Sequence, residues 1–433
     1  MLKPRLLIAA VLATLMTAPA LAQTEVIWWH AMGGELGEKL NEIAAGFNEG
    51  QDEFEVVPVY RGSYTETMTG AIAAFRAGEQ PHIVQVFEVG TATMMAAEGA
   101  IYPVFELMAD HDVPFDQSAF LPAVISYYVS NDGNLLSMPF NSSTPVLWYN
   151  QSALDELGLE VPATWDELEA ASRAAVDGGY PCGMTTAWQT WVQLENFSAW
   201  HDLPFATENN GYAGLDTEMA IDNEAILNHI TRLSNMAADN AFVYGGRAGA
   251  PQPLFLNQEC IFYFNSSAGY GAINTGAEFE FGQTMMPIDT SVRSEPQNSI
   301  IGGATLWVLQ GHEDEEYRGV AEFFEYLSSP EVQADWHQFT GYVPITTAAY
   351  QLSQEQGFYD ENPGTDTAIE ELSLNEPTGN SRGLRLGNLV QIRDVMDEEL
   401  EAVWSGVKTP EQAIDDIVRR GNELLRQFES ANR

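Results

Sequence analysis

Apolar runs typical of buried strands alternate with helical patterns over the first part of this chain. Residues 26–29, 54–60 and 82–87 form short apolar runs, whereas residues 36–47 and 64–75 carry apolar side chains at helical spacing. This alternation predicts a parallel sheet with helices on both faces. In such sheets ligands bind at the carboxyl ends of the strands. Three loops meet that condition: residues 30–35, 61–64 and 88–93.

The chain is too long for a single hydrophobic core. Its 433 residues exceed the size at which one core usually stops growing, so we expect two domains. A polar corner at residues 141–145 separates two apolar strands. We interpret it as the point where the chain first crosses from one domain to the other. Strand and helix patterns then suggest that the chain visits each domain more than once. The expected ranges are residues 23–141 plus approximately 266–330 for lobe 1, and approximately 142–265 plus 331–433 for lobe 2.

Residues 1–22 have the pattern of a secretory signal peptide. Lys3 and Arg5 precede an apolar run at residues 6–16, and small residues at 20–22 form a cleavage site. No cysteine follows that site, so we expect an exported protein without a lipid anchor, located in a periplasm. In that oxidising compartment Cys182 and Cys260 can form a disulfide, but their spacing does not settle whether they do.

Acidic residues dominate the charge of the chain. There are 62 Asp and Glu against 18 Lys and Arg, a formal net charge of −44. This balance excludes a nucleic-acid partner, which requires a basic face, and argues against binding to anionic membranes. A surface this acidic repels itself and is relieved by salt, which indicates a salt-adapted source.

One stretch reverses this balance. Residues 377–393 contain Arg382, Arg385 and Arg393 and no acid. Arginine matches phosphate or carboxylate oxygens two at a time, so the stretch is a candidate anion site. The alternative is that these arginines pair with the acids that follow, which are Asp394, Asp397 and Glu398.

The sequence contains no recognisable catalytic motif. It lacks a zinc-binding His-Glu-x-x-His helix, a Gly-x-Ser-x-Gly elbow and a phosphate loop, and its two cysteines are too few for a structural zinc site. Of the seven histidines only His30, at the end of the first strand, is a candidate ligand or base, and a structural role is favoured for it. What remains is a set of aromatic, hydroxyl and acidic residues at strand ends, which suits a polyol. The set is Tyr64, Glu88, Ser143, Trp188 with Trp191, Ser266, Gly303, Tyr342 and Arg393.

Several long motifs make the chain resemble a known family, the periplasmic sn-glycerol-3-phosphate-binding proteins of ABC importers. These belong to the extracellular solute-binding proteins related to maltodextrin-binding proteins. The resemblance extends over essentially the whole chain after residue 22. Its most telling motifs lie at residues 29–36, 87–95, 139–145, 193–200, 300–304, 340–345 and 383–393.

The resemblance implies an α/β fold of two lobes, each with a mixed or parallel sheet flanked by helices, joined by a hinge. It implies a monomer that binds glycerol-3-phosphate, or a diester such as glycerophosphocholine, and delivers it to a membrane permease, without cofactor, metal or catalysis. It also assigns roles. Tyr342 and Arg393 would bind the phosphate, Ser143 and Ser266 would donate to phosphate or glycerol oxygens, and Glu88 would accept a glycerol hydroxyl. Tyr64 would contact the ligand, Trp188 would stack on the glycerol carbons, and Gly303 would offer its N–H.

Two other functions remain open at this point. A neutral oligosaccharide-binding protein of the same fold would use the tryptophans for pyranose rings. A secreted phosphodiesterase acting on glycerophosphodiesters would need a metal cluster or a nucleophile. The sequence does not rank glycerol-3-phosphate against its diesters.

Overall fold

The computed structural model describes residues 23–97 and 99–433, so the predicted signal peptide at residues 1–22 lies outside the described residues. Two separate sheets, each flanked by helices, organise this part of the chain. The strands are β1 (Thr24–His30), β2 (Phe54–Tyr60), β3 (Ile83–Phe87), β4 (Ile101–Tyr102), β5 (Met138–Ser143), β6 (Pro145–Asn150), β7 (Cys182–Thr186), β8 (Cys260–Ser266), β9 (Phe281–Thr284) and β10 (Gly302–Leu309).

The helices divide between the two sheets. They are α1 (Gly34–Gly50), α2 (Tyr64–Ala77), α3 (Thr91–Met95), α4 (Val104–Asp110), α5 (Pro122–Ile125), α6 (Gln151–Leu157), α7 (Trp165–Asp177), α8 (Phe197–Trp200), α9 (Thr207–Gly211), α10 (Glu224–Ala237), α11 (Gln252–Leu256), α12 (Tyr270–Gly276), α13 (Asp314–Leu327), α14 (Pro330–Thr340), α15 (Thr347–Glu355), α16 (Phe358–Glu361), α17 (Thr367–Ser373), α18 (Leu389–Trp404) and α19 (Pro410–Asn432). Short 3₁₀ turns lie at Glu88–Gly90, Gln117–Ala119 and Ser267–Gly269, and a π-helix at Trp191–Asn196 precedes α8. None of the helices in the described ranges is long and apolar enough to cross a membrane.

The first sheet confirms the predicted alternation of strand and helix. Its order is β2-β1-β3-β10-β4, with β5 pairing on β10. β1 runs parallel to β2 and β3, whereas β10 is antiparallel to β3, β4 and β5, so the sheet is mixed and the predicted parallel sheet is correct only for β1, β2 and β3. The carboxyl ends of β1, β2 and β3 therefore meet at one edge.

The second sheet has the order β7-β8-β6-β9, with β7 parallel to β8 and the other pairs antiparallel. Cys182 and Cys260 stand opposite each other at the start of β7 and β8 and are joined in a disulfide. The question that spacing left open is thus decided by strand register, since the two residues start neighbouring parallel strands.

The chain crosses between the sheets three times. The crossings are Thr144 between β5 and β6, residues 285–301 between β9 and β10, and residues 374–388 between α17 and α18. The division into lobes stays a prediction, but these crossings differ from its approximate ranges over two stretches: residues 266–284, which include β9, lie with the second sheet, and residues 331–373, which include α14, lie with the first. β9 pairs with β6 in the second sheet. Helix α14 packs on the first, because Trp336 stacks on Phe140 of β5 at 5.0 Å.

Two helix starts can be predicted from the sequence, because Thr164 and Thr409 are good capping residues placed directly before helical patterns. Thr164 caps α7, and Thr409 caps α19 with Pro410 as the first helical residue. In both helices the cap accepts from the third backbone N–H while a Glu or Gln side chain accepts from the cap's own N–H. These capping bonds join residues only three positions apart, which is why the sequence alone predicts where the two helices begin.

Candidate functional site

A cavity of about 540 Å³ lies in the cleft between the two sheets. The residues proposed from the resemblance come from distant parts of the chain, and all of them line this one cavity. They are Tyr64, Glu88, Ser143, Trp188, Ser266, Gly303, Tyr342 and Arg393. Trp191 also lines it, together with residues that the prediction did not name: Gly33, Glu35, Leu36, Phe87, Asn265, Gly302, Phe339 and Thr340.

Two tyrosines form one wall of the cavity. Tyr64 lies in the first turn of α2, where its ring stacks on Phe87 at 5.4 Å and its hydroxyl accepts from Asn141 Nδ2 at 2.9 Å. Tyr342 stacks on Trp336 at 5.7 Å. Burial raises the pKa of both phenols, so both remain protonated and can donate to an oxygen of a ligand.

Two serines end strands that face the cleft. Ser143 closes β5 and pairs with Gly302 of β10. Ser266 closes β8, and its Oγ accepts from the Ala268 N–H at 3.0 Å. That contact uses an acceptor site of the hydroxyl and leaves its own O–H free to donate to a ligand.

Gly303 is required by strand geometry, independently of the predicted contact between its N–H and a ligand. Its φ of +98° lies in the region that only glycine enters freely. A Cβ at this position would overlap the carbonyl oxygen of Asn141 on β5. The glycine therefore permits the irregular pairing of β10 with β5. A side chain at position 303 is excluded by this strand contact even in the ligand-free protein.

Trp188 has an unusual backbone for a bulky residue. Its φ is +45°, and its N–H donates to the carbonyl of Ala248 at 3.0 Å, itself a residue with φ of +50°. Left-handed conformations of non-glycine residues cost free energy and are retained where surrounding structure imposes them. The 245–250 loop thus fixes the indole at the cleft wall.

Arg393 lies at the base of the cleft and is held by two carboxylates. Its Nε and Nη2 donate to Glu195 at 2.7 Å each, and Nη2 also donates to Glu88 at 2.6 Å. The three side chains are 13%, 0% and 4% exposed for Arg393, Glu195 and Glu88 respectively. The prediction that Arg393 lines an anion site is compatible with this position, but the alternative partners Asp394, Asp397 and Glu398 are not the ones it contacts.

These contacts set the charge states at the site. Burial disfavours the charged guanidinium, but the carboxylates of Glu195 and Glu88 more than offset this and raise the pKa of Arg393. Burial raises the pKa of Glu88, and Arg393 opposes that rise. Two carboxylates share this one guanidinium, so the arginine offers a ligand hydrogen bonds more than uncompensated positive charge.

Glu195 was missed by the sequence reasoning, although a signal for it exists. It is the only Asp or Glu between residues 178 and 201 of a chain that is rich in acids elsewhere. An isolated acid among apolar and aromatic residues indicates a buried carboxylate with a specific partner.

Arg382 and Arg385 lie outside the cavity. Both guanidiniums stack on the ring of Tyr212, at 4.5 and 4.2 Å from its centre. Arg385 also donates to the carbonyls of Val129 at 2.8 Å and Tyr127 at 3.3 Å. Within the described ranges neither arginine lines the cavity or forms an ion pair, so neither the anion role nor the predicted pairing with acids is observed for them, and their contacts are with the Tyr212 ring and backbone carbonyls.

His30 has no part in the cleft. It is buried in β1, its Nδ1 accepts from the Met32 N–H at 3.3 Å, and burial lowers its pKa to about 4. A separate group, His82, His312 and Glu316, brings three potential metal ligands together. However, Nδ1 of His82 accepts from the Ile27 N–H at 2.9 Å, so Nε2 of the neutral ring carries the proton and cannot bind a metal.

Comparison with known proteins gives consistent matches over most of the chain. The family model described as "Bacterial extracellular solute-binding protein" matches residues 42–367. The sn-glycerol-3-phosphate-binding periplasmic protein UgpB of Yersinia pseudotuberculosis is 49% identical over 421 residues, 96% of either chain. The protein of that name from Salmonella typhimurium is 48% identical, again over 96% of either chain.

Solved structures share the fold at low sequence identity. UgpB from Mycobacterium tuberculosis, in complex with glycerophosphocholine, has a TM-score of 0.78 and 18% identity, covering 94% of this chain and 99% of that one. Maltose-bound MalE3 from T. maritima has a TM-score of 0.76 and 18% identity, covering 93% and 100%. The two-lobed fold expected from the sequence is thereby confirmed.

Proposed function

The chain belongs to the bacterial extracellular solute-binding protein family, and from that premise we propose that it binds sn-glycerol-3-phosphate as the substrate-binding component of an ABC importer. The observation that carries this proposal is the convergence of Tyr64, Glu88, Ser143, Trp188, Ser266, Gly303, Tyr342 and Arg393 on one cavity. Near-half identity to proteins named for this ligand, over almost the full chain, supports it.

The phosphate would be bound mainly by neutral donors. Tyr342, Ser143 and Ser266 offer hydroxyl groups, and Arg393 offers Nη1, which has no partner in the described part of the chain. A hydrogen bond to a charged group contributes about 1.5 to 3 kcal/mol. A few such bonds, less the entropy of association, are enough for the roughly −8 kcal/mol of a micromolar complex.

The glycerol would lie against Glu88 and Trp188. Oε1 of Glu88 accepts from Arg393, and the other oxygen, Oε2, would accept a hydroxyl of the glycerol. Trp188 would present its indole face to the C–H groups, as aromatic rings do with polyols. Tyr64 and the N–H of Gly303 would complete the contacts.

Delivery would depend on closure of the lobes. Glu88 and Tyr64 belong to the first sheet's side of the cleft, and Arg393 and Trp188 to the second's, so one ligand contacts both. A ligand that binds the closed form better shifts the population toward it, and a membrane permease would recognise that form. The protein would act as a monomer in the periplasm after signal-peptide removal, without catalysis, cofactor or nucleic-acid partner.

Titration calorimetry tests this function. Glycerol-3-phosphate should bind with a dissociation constant of about 1 μM or lower, and maltose should give no heat. Maltose binding without glycerol-3-phosphate binding would instead support the neutral oligosaccharide function. Release of free alcohol from a glycerophosphodiester would establish a phosphodiesterase.

Glycerophosphodiesters are a second candidate ligand. The cavity of about 540 Å³ extends past the proposed phosphate residues to small residues of α12, which leaves space beside the phosphate. The structurally similar mycobacterial protein is in complex with glycerophosphocholine. Competition of glycerophosphocholine against glycerol-3-phosphate in the same calorimetry panel would rank the two.

A further inference from the structure

The guanidinium of Arg393 has one partner on each side of the cleft. Glu195 belongs to the π-helix Trp191–Asn196, which packs with the second sheet's core, and Arg393 belongs to α18 on the same side. Glu88 follows β3 of the first sheet. The contact with Glu195 therefore stays within one lobe, whereas the contact with Glu88 joins the lobes.

The two contacts also differ in geometry. Glu195 accepts from Nε and Nη2 together, at 2.7 Å each, while Glu88 accepts from Nη2 alone. A planar guanidinium held along its Nε–Nη2 edge has a fixed orientation, and Nη1 is the nitrogen left over. Any separation of the lobes would remove Glu88 but would leave the two bonds to Glu195 in place.

The segment that carries Glu195 is itself anchored. The π-helix is a rare geometry found mostly at functional sites. Asn196, which follows Glu195, donates to the Trp191 carbonyl at 3.2 Å and accepts from the Ile300 N–H at 2.8 Å. These bonds tie the π-helix to the second crossing between the sheets, so the carboxylate of Glu195 cannot easily follow a moving side chain.

We propose that Glu195 is a positioning residue for ligand binding: it holds Arg393 in its binding orientation within one lobe, with Nη1 directed to the cleft, before the ligand arrives. The proposal rests on the proposed function for its ligand. Preorganisation of this kind strengthens binding because the ordering of the arginine is completed in the free protein.

The first test needs no ligand. In the wild-type protein the Nε–H of Arg393, bonded to Glu195, should give a solvent-protected, downfield-shifted NMR signal, identified by its loss in Arg393→Ala. Glu195→Gln cannot accept from both nitrogens, so the signal should shift or disappear. An unchanged signal in Glu195→Gln would overturn the proposal.

The second test is a double-mutant cycle with glycerol-3-phosphate. Glu195→Gln should weaken binding about tenfold, the effect of losing one charged hydrogen bond. In the Arg393→Ala background the same change should have no further effect, because a residue acting through another is non-additive with it. Unchanged affinity in Glu195→Gln, or losses that multiply, would contradict the proposal.

A matched control and a fold check complete the design. Glu399→Gln changes a different buried glutamate, which lies on α18 and pairs with Lys408 and Arg420 outside the cavity, and this variant should retain both the signal and the affinity. Glu195→Ala serves as the second variant if Glu195→Gln does not fold. If wild type binds no glycerol-3-phosphate, the proposed function is wrong, and the ligand-free signal still decides the role of Glu195.

Discussion

At the scale of single residues, the cleft is built from groups whose partners lie far away in the sequence. Arg393 contacts Glu195 and Glu88, which are 198 and 305 positions earlier in the chain. The sequence motifs identify which residues are candidates for the site. They do not reveal that the one cation lining the cavity, among the residues described, is already shared between two carboxylates.

Replacing Arg393 with alanine should weaken glycerol-3-phosphate binding at least tenfold, since a charged hydrogen bond contributes about 1.5 to 3 kcal/mol. The same change should lower the free energy of unfolding by about 3 to 5 kcal/mol, because Glu88 and Glu195 would lose their buried partner. Calorimetry and urea denaturation measure the two effects. Unchanged affinity in a folded variant would remove Arg393 from the site.

Gly303→Ala should reduce the free energy of unfolding by about 2 kcal/mol or more, because the new methyl group meets the Asn141 carbonyl in addition to the left-handed strain. Gly406→Ala is the matched control, since its φ is +70° and no atom lies within 4 Å of the added Cβ. That control should cost only about 1 kcal/mol. Equal losses in chemical denaturation would refute a role for the strand contact.

At the scale of elements, local signals were sufficient for most of the first sheet. Apolar periodicity and caps predict β1, β2, β3 and the helices between them because these features depend on neighbours in sequence. The π-helix that carries Glu195 was not predicted. It arises from the packing around it, and no local pattern specifies it.

The disulfide between β7 and β8 should stabilise the folded protein against unfolding. Cys182 and Cys260 are 78 positions apart, and closing a loop of that length restricts the unfolded chain by about 4 kcal/mol. Reduction should therefore lower the urea midpoint markedly. A Cys182→Ser/Cys260→Ser double variant should start from the lower midpoint and show no response to reductant. A wild-type midpoint that reductant leaves unmoved would contradict the expected stabilisation.

At the scale of the whole molecule, one buried carboxyl lies where all three crossings meet. Glu371, on α17, accepts from the Met286 N–H at 2.8 Å, and Thr144 and Ser299 face it from the other segments. Residue 374, where the third crossing starts, is three positions away. Burial raises the pKa of Glu371 to about 8, so it is largely protonated at neutral pH.

This shift predicts how stability depends on pH. A carboxyl with a folded-state pKa of about 8, above its usual 4.5, destabilises the folded protein progressively as pH rises between those values. Glu371→Gln should therefore match wild type near pH 5 and exceed it above pH 8 by on the order of 3 to 5 kcal/mol. Denaturation at several pH values measures the difference. A constant difference between the two proteins would exclude this titration.

The acidic surface gives the last whole-molecule prediction. With a net charge of −44, repulsion between surface acids should be relieved as salt shortens the screening length from about 10 Å at 0.1 M to about 3 Å at 1 M. The melting temperature should rise accordingly. Equal stability with and without molar salt would refute salt adaptation.

The sequence by itself determined the strand–helix alternation, the helix caps, the family and the residues of the candidate site, because local periodicity and long motifs carry that information. Only the tertiary structure decided the disulfide, the packing of β9 and α14, and the partners of Arg393. Those features depend on strand register and on contacts between residues hundreds of positions apart. The arginine-rich stretch contains both kinds of information: its composition indicated an anion site, and its fold assigned one arginine to the cleft and two to the ring of Tyr212.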